Sequence, residues 1–130
     1  MKRNIIALAG LTVLLVAAGC KDEPTAGEFS VDLTTPNSDD GAIQFVANAS
    51  APETITSVSV ACSPCKLFLV KVSDAQYKGV LTGQIGAGPL FRIGVSDNKV
   101  TGSYSVTISS VASRTYQLRP TSGYSVTLRP

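Results

Sequence analysis

The 130-residue sequence contains no histidine and no tryptophan. Without histidine there is no Ser-His-Asp or Cys-His catalysis, no His-ligated zinc and no haem attachment through Cys-x-x-Cys-His. Without tryptophan there is no Trp-lined sugar platform, which leaves tyrosine for any such surface. Cysteine is scarce at three residues, so a four-cysteine zinc site is excluded as well. The length admits one small domain, and a Rossmann unit with a substrate domain, a TIM barrel or a kinase does not fit in it. No window carries a helical apolar stripe of useful length.

What is present begins with a processing signal. Lys2 and Arg3 precede an almost uninterrupted apolar run, Ile5 to Ala18. That run is short for a membrane span and suits a signal h-region. Ala17-Ala18-Gly19-Cys20 follows, small residues before a cysteine. The segment resembles the lipobox of bacterial lipoproteins, with Ala17 where leucine is commonest. The resemblance implies cleavage before Cys20, diacylation of its sulfur and acylation of its amine. Two or three acyl chains anchor a protein stably to a membrane, where one is marginal. It also implies residence in the bacterial cell envelope. In a source with two membranes, Lys21 at the second mature position favours the outer one. An ordinary secretory signal followed by a chance cysteine is the alternative. The expected organisation is a signal peptide over residues 1–19, forming a signal helix, a lipidated tether over 20–27 and a folded domain over 28–130.

From residue 20 onward there are nine basic and nine acidic side chains, unevenly spread. Residues 20–74 sum to −5 and residues 75–130 to +5. Such asymmetry can mark an anionic partner. The preferred reading is that the two halves interleave in one fold.

The domain reads as strands and turns. Phe29, Val31 and Leu33 alternate with polar residues, and Pro36 to Gly41 is a dense turn signal. Ala42 to Ala49 and Thr54 to Ala61 follow, the apolar side changing between Ile55 and Val58 as at a bulge. Leu67 to Val72 is almost continuously apolar, the pattern of a strand covered on both faces. Val80 to Ile85, Phe91 to Val95, Tyr104 to Ile108, Tyr116 with Leu118, and Tyr124 to Leu128 complete the set. Eight or nine short strands separated by turn clusters predict an all-β fold, an antiparallel β-sandwich, with a small barrel as alternative. Phe45, Leu69, Ile93, Val106 and Val126 are the predicted core, with Arg92 and Thr107 facing out. Ser103-Tyr-Ser-Val-Thr-Ile108 is echoed by Gly123-Tyr-Ser-Val-Thr-Leu128, two strands with one inside-outside demand.

Gly88-Pro-Leu-Phe-Arg-Ile-Gly-Val95 resembles the Gly-x-Leu-x-x-Ile segment of cohesin-type domains, and the strands to Leu128 are similar to how such domains finish. A bacterial immunoglobulin-like module fits nearly as well. Either likeness implies a sandwich with an extracytoplasmic interaction role.

Cys62-Ser63-Pro64-Cys65 is the sharpest constellation for chemistry. Cys-x-x-Cys serves as a redox dithiol, as half a zinc site or as a small structural disulfide. A redox cysteine sits at a helix N-terminus, where its thiol pKa falls, whereas a strand pattern follows here. In an oxidising compartment a disulfide is the simplest outcome. Ser63-x-x-Lys66 also matches the Ser-x-x-Lys of penicillin-recognising enzymes, but without their helix, chain length or partner motifs. Asp39 and Asp40 read as turn-capping residues. A weak calcium site with Asp74 or Asp97 is the alternative, although EF-hand spacing is missing. Asn48-Ala-Ser50 fits the glycosylation sequon, which bacterial lipoproteins rarely use. Tyr77, Tyr104, Tyr116 and Tyr124 either line a sugar groove or cover strand faces.

The expectation is a lipid-anchored envelope module with a non-catalytic binding, adhesive or structural role. It has a membrane partner through Cys20, a protein or envelope polymer as ligand, and no nucleic acid, metal or cofactor. A small redox or enzymatic lipoprotein using Cys62 and Cys65, or an accessory subunit of an envelope assembly complex, is the alternative.

Overall fold

The computed structural model describes residues 23–130. The expected signal peptide and its helix, Cys20, and the start of the tether lie outside them. The described chain is all-β, with nine strands: β1 Gly27–Thr34, β2 Asp40–Ala49, β3 Ile55–Val60, β4 Cys65–Ser73, β5 Gln76–Ile85, β6 Gly88–Val95, β7 Tyr104–Ser113, β8 Leu118–Arg119 and β9 Ser125–Arg129. One 3-10 turn, Thr101–Ser103, precedes β7. The strands form two antiparallel sheets, β3-β6-β1-β9 and β4-β5-β2-β7-β8.

Alternation builds both layers. In β1 the apolar residues Phe29, Val31 and Leu33 are buried while Glu28 and Thr34 are exposed. Side chains on a strand point to opposite faces in turn, so a period of two presents one apolar face to the facing sheet. Phe45 of β2 stacks on Phe91 of β6 across the sandwich, ring centroids 4.2 Å apart and planes 22° from parallel. Gly79 of β5 makes that possible: a Cβ there would meet Phe45 Cζ at 2.5 Å. The bulge expected between Ile55 and Val58 is present, the β3–β6 register shifting between Ile55 and Ser57.

Chain order sorts the loops into two groups. The 50–54, 74–75 and 96–103 connections lie at one end of the sandwich, where β1 begins. The 35–39, 61–64, 86–87, 114–117 and 120–124 connections lie at the other. The acidic N-terminal and basic C-terminal halves interleave as read from the sequence. Asp32 pairs with Arg129 at 3.0 Å, and Asp39 and Asp40 pair with Arg119 at 2.7 and 2.8 Å.

The core assignment is corrected at one strand. Phe45 and Ile93 are buried, and Val106 and Val126 are half-buried against the core. Arg92 and Thr107 are exposed as expected. Leu69, however, is 38% exposed, with Phe68 at 60%, Val70 at 64% and Val72 at 52%. β4 is not covered on both faces. It is an edge strand, paired only with β5; Phe68 and Val70 turn to the outer face of the sheet, while Leu67 is half-buried against the core. Tyr116, expected in a strand with Leu118, lies outside β8 at φ 67° and is almost fully exposed.

Candidate functional site

The Cys-x-x-Cys pair forms the connection from β3 to β4, where the chain crosses between the sheets. Cys62 and Cys65 are disulfide-bonded, with an S–S distance of 2.02 Å and Cα atoms 5.5 Å apart. The N–H groups of Ala61 and Cys62 both donate to the Leu90 carbonyl, at 3.0 and 3.1 Å. Gly83 lies so close on the other side that a Cβ there would meet the Pro64 carbonyl oxygen at 2.5 Å. A strand, not a helix, follows Cys65, so the pair lacks the helix N-terminus at which redox-active cysteines sit.

At the same end a polar cluster gathers residues that sequence reasoning kept apart. Asp40 opens β2 and is fully buried. Its Oδ1 accepts hydrogen bonds from Arg119 Nη1 at 2.8 Å and from the Tyr124 hydroxyl at 2.7 Å. Its Oδ2 accepts from the Thr35 hydroxyl at 2.7 Å. Asn37 Nδ2 donates to the Tyr124 oxygen at 2.7 Å. Arg119 also reaches Asp39 Oδ1 at 2.7 Å. The Arg119 guanidinium, by hydrogen bond and by charge, holds the Asp39 carboxyl below the usual carboxylate range. Asp39 in turn raises the Arg119 value, with Asp40 and Tyr124 adding to it. A buried carboxylate is tolerated when charge and hydrogen bonds compensate its desolvation, and here one guanidinium and two hydroxyls do so.

The opposite end holds a second polar anchor. Asp97 Oδ1 accepts from the Thr25 and Lys99 N–H groups at 3.3 and 3.0 Å. The Asp97 N–H donates to the Tyr104 hydroxyl at 3.1 Å, and the Asn98 N–H to the Thr25 carbonyl at 2.8 Å. Lys99 Nζ also donates to the Glu23 carbonyl at 3.2 Å, so the segment before β1 is fastened from Glu23 onward. The repeated Ser-Tyr-Ser-Val-Thr and Gly-Tyr-Ser-Val-Thr segments acquire a physical meaning. In each, the tyrosine hydroxyl bonds an aspartate at the end of the sandwich, Tyr104 accepting from the Asp97 N–H at one end and Tyr124 donating to the Asp40 carboxylate at the other.

The remaining candidates separate. Asp39 and Asp40 lie at the end opposite Asp74 and Asp97, and among the described residues no three His, Cys, Asp or Glu side chains are grouped to hold a metal. Tyr77 and Tyr104 are buried, Tyr124 is in the Asp40 cluster and Tyr116 projects alone, so they form no common groove. Among the described residues no buried polar side-chain atom lacks a hydrogen-bond partner. The Asp40 cluster thus spends its donors and acceptors on itself and acts as a latch. Comparison with protein families, curated proteins and solved structures finds no match to this chain.

Proposed function

We propose that the chain is a lipid-anchored module of a bacterial cell envelope, its sandwich serving a non-catalytic binding, adhesive or structural role. The observation that carries this reading is the spacing between the lipobox cysteine and the first fastened residue. Cys20 precedes Glu23, whose carbonyl accepts from Lys99 Nζ at 3.2 Å, by three positions, a span of roughly 10 Å at full extension. Acylation at Cys20 would hold the Asp97 end close to the bilayer and turn the disulfide and the Asp40 latch away from it. The likeness to cohesin-type or immunoglobulin-like domains belongs to the same reading, which names a protein or envelope polymer as partner. The polar clusters support a scaffold over a reaction centre, because their groups are committed to holding loops together. Metabolic labelling with a palmitate analogue tests the anchor. The wild-type chain is expected to take up label and Cys20→Ser to lose it; equal labelling of both overturns the reading.

A further inference from the structure

Tyr116 occupies a position that its side chain does not favour. Its backbone lies in the left-handed region at φ 67°, where glycine and asparagine are at ease and a bulky residue is strained. The turn between β7 and β8 holds it there. The Tyr116 N–H donates to the Ser113 carbonyl at 3.0 Å, the Ser113 N–H to the Gln117 carbonyl at 2.8 Å and the Gln117 N–H to the Ser113 hydroxyl at 3.2 Å. No packing of the ring offsets the strain, because Tyr116 is 94% exposed. A strained residue whose side chain the fold does not use points to a surface presented to something else.

Tyr116 lines a depression of about 300 Å³ on the outer face of the five-stranded sheet, at the latch end. Ala42 of β2, Thr82 of β5 and Ala112 of β7 form one row of its floor as register partners, and their neighbours Ile43, Leu81 and Val111 turn into the core. Small side chains in that row leave the depression open above the sheet. Arg114 and Tyr116, both exposed, make its rim. Arg114 Nη2 donates to the Ser38 carbonyl at 3.2 Å, which steadies a guanidinium that has further N–H groups to give. Lys66, the register partner of Thr82, adds a second cation beside the row. Asp39, whose carbonyl accepts from the Arg114 N–H, gives its carboxylate to Arg119.

These features fit a sugar better than a peptide or a nucleic acid. An aromatic face carries partial negative charge, which attracts the C–H groups of a pyranose laid flat on it. A peptide that adds as a strand needs an unpaired backbone edge, and β5 and β2 beneath the depression are paired on both sides. A single-stranded nucleic acid stacks on several aromatic rings in succession, whereas one ring lines this depression. The two cations select a sugar that bears an acid group.

We propose that the depression beside Tyr116 is a glycan-binding subsite, which seats one acidic sugar residue of an envelope polysaccharide with its ring stacked on Tyr116 and its carboxylate held by Arg114. Lys66 adds long-range attraction for the same charge. This rests on the reading that names an envelope polymer as partner and gives that polymer a chemistry and a place. The anchor plays no part in the subsite, so the two fail separately: the labelling of Cys20 tests one and sugar binding the other.

The test is calorimetric titration of the full chain, in mild detergent, with tetramers of galacturonate and of mannuronate and with neutral galactotetraose. At least one uronate should bind, and more tightly than the neutral tetramer. Tyr116→Ala should weaken that binding roughly tenfold or more, while Tyr116→Phe, which keeps the ring, should stay within about twofold of wild type. Arg114→Gln should remove the preference for the acidic tetramer. Tyr116→Gly separates the subsite from the fold: it should bind as poorly as Tyr116→Ala yet melt no lower than the wild type, because glycine adopts this backbone without strain. Binding of neither uronate, binding indifferent to Tyr116→Ala, or a clear drop in the melting point of Tyr116→Gly overturns the proposal. Tighter binding of an oligothymidylate than of either uronate overturns it in favour of a single-stranded nucleic acid.

Discussion

The hydroxyl of Tyr124 lies 2.7 Å from Oδ1 of Asp40, 84 positions earlier in the chain. Through that bond the last strand is tied to the first crossing between the sheets. Arg119, bound to the same oxygen, ties down β8, which contributes only two residues to its ladder. A buried carboxylate is therefore the junction at which the C-terminal segment closes the sandwich.

Removing the junction should cost more than removing any one of its donors. Tyr124→Phe deletes two hydrogen bonds, the one given to Asp40 and the one accepted from Asn37 Nδ2, and is expected to lower the unfolding free energy by about 1–2 kcal/mol. Asp40→Ala leaves the Thr35 and Tyr124 hydroxyls and one face of Arg119 without their acceptor, and roughly 2–4 kcal/mol is expected. Urea unfolding measures both. The double variant should lose less than the sum, because the two changes remove the same bond. Strict additivity would show that the two side chains act separately.

Acid should weaken the same region with a defined sign. Arg119 depresses the folded-state value of Asp39, so the contribution is fully present above the unfolded-state value of about 4 and is lost as pH falls through the lower folded-state value. The difference in thermal midpoint between wild type and Asp39→Asn should stay constant from neutral pH to about pH 5 and close below about pH 4. Added salt should shrink it as well, since Asp39 is largely exposed. A difference that grew on acidification would contradict the assignment.

The strands were legible because their faces differ: Phe29-x-Val31-x-Leu33 and Phe91-x-Ile93-x-Val95 declare an inside and an outside without reference to the rest of the chain. The β3–β4 turn was legible because two cysteines three apart fit a short closed ring. β4 was misread because a continuous apolar run has the same pattern at a sandwich centre and at an edge; only the pairing order, absent from local sequence, separates the two. The Asp40 latch was hidden for a related reason. Asp39-Asp40-Gly41 has the composition of an ordinary turn, and Arg119 and Tyr124 come to it from about eighty positions away. The repeated Tyr-Ser-Val-Thr was the one trace of it, read as a matched strand face and not as a matched hydroxyl.

The stacked rings at the centre give a sharper test of the core than side-chain truncation alone. Gly79→Val would drive a branched side chain into Phe45 and Leu69, and overpacking of this kind costs about 1–3 kcal/mol. Ile93→Ala, at a fully buried position, should cost roughly 2–5 kcal/mol, while its outward neighbour Arg92→Ala should stay within about 0.5 kcal/mol. Leu69→Ala, on the open edge, should fall well below Ile93→Ala. Thermal melts that ranked Leu69 with Ile93 would place β4 inside the core after all.

The disulfide closes a ring of four residues and joins the sheets only at their β3 and β4 edges. For a loop of four residues the chain-entropy contribution is about 2 kcal/mol at most. The variant carrying Cys62→Ser and Cys65→Ser should therefore fold and melt several degrees lower. The loss should also be local. β3 depends on β6 alone and β4 on β5 alone for their ladders, so their amides should exchange faster once the turn is free. β1, β2 and β6, each paired on both sides, should keep most of their protection. Amide exchange followed strand by strand measures this directly. Uniform loss of protection across both sheets would show that the bridge stabilises the whole sandwich and not its open edge.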